Sequence, residues 1–157
     1  MQCYALRMPQ LHDVAPLERS VEQAHRGLER FLIERRGDDG VARLRLHVPT
    51  SGPKTIYGIS LDREVRVEAC GTCAAGNSSA AIQISWMAEA MVFPRFKGTL
   101  CVRSEGHPAR SYIELDGSYV PPSDETRTHF DATIGDEIAH ATAREFLKDL
   151  KLAIEAT

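Results

Sequence analysis

The sequence has no excess of charge of either sign, few aromatic side chains and no long apolar run. Its 157 residues carry 19 Lys and Arg against 22 Asp and Glu, which gives a formal net charge of −3. Because nucleic-acid-binding domains usually show a basic excess or a basic stripe, this balance argues against a nucleic-acid partner. No segment reaches the roughly 18–20 apolar residues that cross a bilayer, which argues against integral membrane association.

The N-terminus also lacks the features of a signal peptide. The segment MQCYALRMPQLHD has no basic region followed by an apolar core and a small-residue cleavage site. We therefore expect a cytoplasmic protein whose four cysteines are reduced thiols. The length predicts one domain, residues 1–157, which is long enough to bury a core without disulfides or metal ions.

Hydrophobic periodicity is what the sequence does offer. Met1–Arg7 alternates apolar and polar residues and predicts a first strand. From Pro16 to Arg36 the apolar residues follow helical spacing, which predicts an amphipathic helix. Ser20 or Asp13 is its predicted N-cap, and the segment 37–40 (GDDG) is its predicted stop and turn.

The middle of the chain alternates with period two. Five such strands, with loops at Pro49–Lys54 and Gly71–Ser79, predict one antiparallel sheet with an apolar and a polar face. Ile59 and Leu61 are expected to extend the second strand backwards. The apolar positions, strand by strand, are Ala42, Leu44, Leu46 and Val48; Val65, Val67 and Ala69; Ala80, Ile82, Ile84 and Trp86; Phe96, Leu100 and Val102; and Ile113, Leu115, Gly117 and Tyr119.

Pro121 and Pro122 end this series of strands, because proline donates no hydrogen bond to a ladder. A long amphipathic helix is then predicted from about Asp124 or Asp131 to Glu155. A helix, a run of strands and a final helix indicate an α+β fold, in which the last helix covers the apolar face of a curved antiparallel sheet.

The last two-thirds of the chain resembles the SRPBCC superfamily, also called START-like or polyketide-cyclase-like. Small bacterial members share a pattern of the form W…FP…G.L.V…L.L.G.Y.PP…D…A..T…L. The chain matches it, between about Val65 and Ile154, with Trp86, Phe93-Pro94, Gly98-Thr99-Leu100-Cys101-Val102, Leu115-Asp116-Gly117-Ser118-Tyr119-Val120-Pro121-Pro122, Asp131, Ala139, Thr142 and Leu147. It departs from the pattern at Ser123-Asp124-Glu125, where relatives often carry glycines. The resemblance implies the helix-grip fold, a curved antiparallel β-sheet wrapped around a long C-terminal α-helix.

The resemblance also implies a cavity between the sheet and the C-terminal helix. In this superfamily the cavity binds lipids, sterols, polyketides or other apolar molecules, and some members do chemistry there. Alternating Val, Ile and Leu are equally expected of a filled core, so the sequence leaves ligand site and plain core both open. The residues predicted to line such a cavity are Leu44, Leu46, Val67, Ile84, Trp86, Leu100, Leu115, Tyr119, Ile138 and Phe146.

One short motif, Cys70-Gly71-Thr72-Cys73, matches half of a zinc site or a redox pair. No second C-x2-C or H-x3–5-H follows, and the pair leaves a strand for a predicted loop rather than opening a helix. We therefore expect incidental thiols, with no metal and no cofactor.

Candidate catalytic groups are diffuse. None of the six histidines is clearly directed inward by the pattern, and Asp131 is expected to cap the long helix rather than to catalyse. A set of arginines on the polar face predicts a solvated surface, because acidic residues are interspersed among them: Arg43, Arg45, Arg63, Arg66 and Arg103.

The sequence therefore favours a protein that binds an apolar small molecule, lipid or polyketide-like, in the cavity. Two alternatives stay open. One is an enzyme of the cyclase, dehydratase or hydrolase kind that uses the same cavity. The other is an interaction module or homodimer without a ligand.

Overall fold

The computed structural model describes residues 8–48, 55–56, 59–60, 63–73, 81–88, 95–120 and 132–156. The elements in these ranges comprise strands β1 to β8 and helices α1 and α2. In chain order they are β1 (Gln10–Leu17), α1 (Val21–Ile33), β2 (Val41–Val48), β3 (Thr55–Ile56), β4 (Ile59–Ser60), β5 (Arg63–Cys73), β6 (Ala81–Ala88), β7 (Arg95–Ser104), β8 (Ser111–Val120) and α2 (Ala132–Glu155).

Six of the strands form one antiparallel sheet in the order β1-β8-β7-β6-β5-β2. Four strands consecutive in the chain, β5 to β8, make a meander, and β2 and β1 add to its two sides. The short strands β3 and β4 pair with each other in a separate hairpin. The five period-two segments of the sequence are thus neighbours in one sheet, as predicted.

The sheet curves around α2. Strands β1 and β2 stand at opposite ends of the strand order, yet α2 contacts both of them as well as β8. A flat sheet of six strands spans over 20 Å, at about 4.8 Å per strand, so only a strongly curved sheet brings both ends to one helix. The buried residues of α2 follow helical spacing along one side of the helix: Ala139, Thr142, Ala143, Phe146, Leu147, Leu150 and Ile154.

Helix α1 closes the fold by packing on β7, β8 and α2. Gly27 allows a close contact between α1 and α2, because a Cβ built there would lie 3.1 Å from Cγ2 of Ile154. Ser20 is the N-cap: its hydroxyl accepts a hydrogen bond from the Gln23 amide at 3.2 Å, and the Gln23 side chain accepts one from the Ser20 amide at 3.1 Å. Of the two predicted caps, Ser20 is therefore correct.

The predicted start of the first helix is wrong. The helix does not begin at Pro16, which is the seventh residue of β1, but four residues after Leu17 at Val21. The predicted strand Met1–Arg7 lies outside the described residues. The predicted stop after α1 is correct, since Gly40 adopts a φ of 77° in the turn and the Gly37 amide donates to the Val41 carbonyl at 3.0 Å.

Two further predictions about the middle of the chain are also wrong. Ile59 does not extend β5 but belongs to β4, and Leu61 lies outside the described residues. Residues 71–73 are not a loop, because β5 continues to Cys73 after a register shift between Cys70 and Thr72. A bulge of this kind leaves one residue unpaired, here Gly71, and lets the strand continue.

The C-terminal end of α2 is fixed to the corner between β1 and α1. Arg19 donates to the carbonyl of Glu155 at 2.6 Å, and the Glu18 amide donates to the Glu155 carboxylate at 3.0 Å. Lys151 donates to the Pro16 carbonyl at 2.5 Å. We call these three contacts the C-terminal clamp; they hold the last turn of α2 against the sheet.

Candidate functional site

Several of the residues predicted to line the cavity share one row across the sheet. In the strand register, Leu44 lies opposite Val67, Val67 opposite Trp86, Trp86 opposite Phe96, and Phe96 opposite Tyr119. We call the three rings of this row, those of Trp86, Phe96 and Tyr119, the aromatic row. All three are buried, with 3–5% of each residue exposed.

Two of these rings lie in direct contact and a third ring comes from α2. The rings of Trp86 and Phe96 are stacked, with centroids 4.2 Å apart and planes 22° apart. The ring of Phe146 lies 6.0 Å from that of Trp86 at an angle of 58°. These separations and tilts are those at which aromatic side chains attract one another. Trp86 thus contacts one ring of the sheet and one ring of the helix.

A pair of glycines lies beside the aromatic row on the inner face. Gly98 and Gly117 are opposite each other in the β7–β8 register. A Cβ built on Gly98 would lie 2.2 Å from the carbonyl oxygen of Asp116 and 2.6 Å from Cζ of Phe96. At Gly117 the corresponding Cβ would lie 2.7 Å from the same Cζ. The tip of the Phe96 ring therefore rests on backbone that no other residue type would leave uncovered.

The other predicted lining residues divide into two groups. Ile84, Leu100 and Leu115 are fully buried in the neighbouring rows of the inner face, at 0–1% exposure. The side chains of Leu46, Val67 and Ile138 lie outside the described residues. Burial agrees with the predicted inward orientation of Leu44, Ile84, Trp86, Leu100, Leu115, Tyr119 and Phe146, and their contact with a ligand stays a prediction.

Phe96 is the residue that the sequence-based set left out. It was assigned correctly to the apolar side of its strand, and it stands between Trp86 and Tyr119, both of which were included. Register is the signal that finds it, because the pairing of β6 with β7 and of β7 with β8 places the three rings side by side. A pattern within one strand does not contain that information.

The buried polar residues among those whose side chains are described are Ser111 and Thr142. The hydroxyl of Ser111 donates to the Arg19 carbonyl at 2.9 Å, which ties the end of β8 to the corner that carries the C-terminal clamp. Asp131, the carboxylate that recurs in the sequence pattern, lies outside the described residues.

The outer face carries a cluster of charged residues from three strands. Glu114 of β8 accepts hydrogen bonds from His12 of β1, at 3.0 Å, and from Arg103 of β7. These bonds lower the pKa of Glu114, the bond from Arg103 being the largest cause. Cys101 of β7 lies opposite Glu114 in the strand register, and burial raises the pKa of its thiol. The cluster joins strands across the outer face.

Among the described residues, no group of three or more His, Cys, Asp or Glu side chains is placed to hold a metal ion. The backbone of Cys70 and Cys73 lies within β5, and their side chains lie outside the described residues.

Searches by sequence find nothing: no protein-family model matches the chain, and no curated protein does. Solved structures do match. The crystal structure of the ZhuI aromatase/cyclase from Streptomyces sp. R1128 superposes with a TM-score of 0.57 at 12% identity, covering 96% of this chain and 93% of that one. TTHA0849 from Thermus thermophilus superposes with a TM-score of 0.53 at 14% identity, covering 94% and 98%.

These similarities extend over nearly the whole length of both chains and concern the fold. The chain has the helix-grip fold of SRPBCC-type proteins, as the resemblance implied. In the part of the chain that the structure describes, no helix is long and apolar enough to cross a membrane.

Proposed function

We propose that this protein binds an apolar small molecule, lipid or polyketide-like, between the inner face of the sheet and α2. The observation that carries the proposal is the aromatic row, which is buried beneath α2 and is linked to it by the contact of Trp86 with Phe146. Sites for apolar ligands are typically apolar walls with a few placed polar groups. The proposed contact set is the ten lining residues named from the sequence, together with Phe96.

Recognition would rest on contact area and exclusion of water. Trp86 and Tyr119 are the natural anchors, because each combines a large apolar surface with one polar group, an indole N–H or a phenol O–H. Such groups bind an apolar ligand through the ring faces and orient a ligand oxygen through the polar atom. The adjacent side chains of Leu44, Ile84 and Leu100 would supply aliphatic surface.

The fold is compatible with this function but does not select it. One protein with a similar fold is an aromatase/cyclase, and at 12% identity that likeness concerns the scaffold only. We place the protein in the cytoplasm, as the sequence favours, and we propose neither a metal nor a cofactor for the site. A homodimer is compatible with the proposal, because the inner face is enclosed within one chain.

The first experiment looks for a ligand that accompanies the protein. The purified protein is denatured and extracted with organic solvent, and the extract is analysed by mass spectrometry against an extract of a Trp86→Leu variant. We expect an apolar compound at near-stoichiometric amount in the unmodified protein and much less in the variant. Leucine keeps the site apolar while removing the ring that joins sheet to helix.

A titration with a defined probe tests for the same binding site without depending on a compound from the expression host. The chain has one tryptophan, so intrinsic fluorescence reports on the proposed site. Binding of N-phenyl-1-naphthylamine should change that fluorescence, and by calorimetry Trp86→Leu should weaken binding at least ~10-fold, since losing a buried ring contact costs over about 1.4 kcal/mol. Val102→Ala, buried on the same face outside the aromatic row, should bind as the unmodified protein does. No co-purifying compound and no probe binding would refute the proposal.

A further inference from the structure

The ring of Phe96 occupies the space above a bare stretch of backbone. Its Cζ lies only 2.6 Å and 2.7 Å from the positions that a Cβ would take on Gly98 and Gly117, so the two glycines form a floor under the tip of the ring. The Trp86 indole is stacked against the same ring at 4.2 Å, and Phe96 is only 3% exposed. Phe96 is therefore enclosed between a glycine floor and the indole that faces α2.

Four of the six positions in the row that contains the glycines are Gly or Ala. Across the sheet it reads Ala42, Ala69, Ile84, Gly98, Gly117 and Leu11. At the neighbouring positions on β7 and β8, Gly98 and Gly117, neither residue has a side chain, so the Phe96 ring fills the volume that side chains would fill there. Aromatic residues that cover glycines on a neighbouring strand in this way fill a gap that the sheet itself leaves.

We propose that Phe96 determines the size of the ligand that the inner face accepts. The ring closes the space over the Gly98–Gly117 floor, so a ligand is confined to the aromatic row and does not extend over the glycines of β7 and β8. Replacing the ring by a smaller side chain would open an apolar trough, with backbone as its floor, that continues from the aromatic row. This inference rests on the proposed function, because it assigns a role within the same site.

The trough would be available to a ligand because its surroundings are apolar. Ile84, Leu100 and Leu115 are buried in the rows on and beside it. Apolar cavities of the size of a benzene ring stay dry and bind small aromatic molecules when a large side chain is removed from a core. The space vacated by Phe96 is of that kind.

The test compares ligands of increasing ring number. Binding of benzyl alcohol, 2-naphthalenemethanol and 9-anthracenemethanol is measured by calorimetry for the unmodified protein, Phe96→Leu and Phe96→Ala. We expect the preference to move by at least one ring in the variants, with the affinity for the three-ring alcohol rising at least ~10-fold relative to the one-ring alcohol. Val102→Ala, which removes buried volume from the same strand away from the glycine floor, should keep the original order.

The outcomes separate this inference from the proposed function. An unchanged ring-number preference in Phe96→Leu, with the unmodified protein still binding, overturns the role of Phe96 and leaves the proposed function intact. If only the Phe96 variants bind the alcohols, the Phe96 ring fills the space over the glycine floor in the unmodified protein. That result would refute a ligand site in the unmodified protein. Binding by none of them overturns both. Circular dichroism and thermal unfolding confirm folding, and Phe96→Leu, the smaller change, carries the test if Phe96→Ala does not fold.

Discussion

Glu114 links three strands on the outer face of the sheet. It accepts hydrogen bonds from His12 and Arg103, which stand on the two strands that flank β8. Its side chain is 21% exposed, against 56% and 49% for its two partners. The two partners are exposed to water, and water screens their attraction to the carboxylate. The contribution of these ion pairs to stability is therefore modest.

This geometry predicts how stability changes with pH. The hydrogen bonds lower the pKa of Glu114 in the folded protein. The ionised carboxylate therefore stabilises the fold above its unfolded pKa, and that stabilisation is lost as the pH falls through the folded value. Glu114→Gln should lower the free energy of unfolding by about 0.5–1 kcal/mol at pH 7. The difference from the unmodified protein should shrink below about pH 4.5 and vanish in stronger acid.

Urea unfolding at several pH values between about 2 and 7 measures this difference. Glu105→Gln is the matched control, because Glu105 is exposed in the turn between β7 and β8. A Glu114→Gln difference that stays constant from neutral to acid pH would show that the hydrogen bonds seen here do not set the titration of this carboxylate.

Asp13 shows why one strand escaped detection in the sequence. The inward positions of β1 are Leu11, Asp13, Ala15 and Leu17, so a carboxylate interrupts the apolar alternation. Two contacts compensate the charge of Asp13 at this position. Its Oδ2 lies 3.6 Å from Nε of Arg144 in α2, and its Oδ1 accepts a hydrogen bond from the amide of the next residue, Val14, at 2.9 Å. A local pattern does not contain an ion pair with a residue of the C-terminal helix, so the segment did not resemble a strand.

At the scale of elements, those with regular patterns were predictable. Apolar residues alternate along β2, β6, β7 and β8, and along β5 up to its bulge at Gly71, and the residues of α2 keep helical spacing to its end. The boundary between β1 and α1 was not predictable, because Pro16 suits the first turn of a helix as well as the end of an edge strand. The degree of curvature of the sheet around α2 was not predictable from periodicity, because periodicity identifies the two faces of a sheet and not its radius.

The N-terminus of α1 offers a prediction at this scale. The hydroxyl of Ser20 and the side chain of Gln23 satisfy two amides that the helix itself leaves without partners. Ser20→Ala should lower the free energy of unfolding by about 1 kcal/mol, because the capping hydrogen bond is lost. Urea unfolding followed by circular dichroism measures it.

An aspartate at the N-cap is the control, because Asp is about as favourable as Ser at this position. Ser20→Asp keeps an acceptor at the same position and should stay within about 0.5 kcal/mol of the unmodified protein. Because α1 packs on β7, β8 and α2, we expect the loss in Ser20→Ala to appear as a shift of the whole transition. Equal stability of the alanine and aspartate variants would mean that the cap contributes nothing measurable.

At the scale of the whole molecule, one buried cluster joins the elements. It contains residues of β1, α1, β2, β6, β7, β8 and α2, and no pair of elements holds a separate core within the described residues. The aromatic row lies toward one end of β8, at Tyr119, and the C-terminal clamp lies toward the other end, near Ser111. The proposed ligand site and the clamp are therefore connected through a single core.

This connection leads to our proposal that residues 1–157 form one domain, and it predicts cooperative unfolding. Arg19→Ala removes the bond to the Glu155 carbonyl at the clamp, far along the sheet from Trp86. A hydrogen bond from a charged donor contributes about 1.5–3 kcal/mol, so the variant should lose roughly that amount or somewhat less. Because single domains of this length usually unfold in one step, Trp86 fluorescence and far-ultraviolet circular dichroism should report the same shifted midpoint.

Arg26→Ala provides the comparison, since Arg26 is exposed on α1 and its ion pair with Glu22 is open to solvent, at 3.5 Å with 73% and 84% of the two side chains exposed. That variant should change the free energy of unfolding by less than about 0.5 kcal/mol. If Arg19→Ala moved the circular dichroism midpoint while Trp86 fluorescence stayed at its original midpoint, the two ends of the sheet would unfold separately. The single-domain proposal would then be wrong, and the site around Trp86 would have a core of its own.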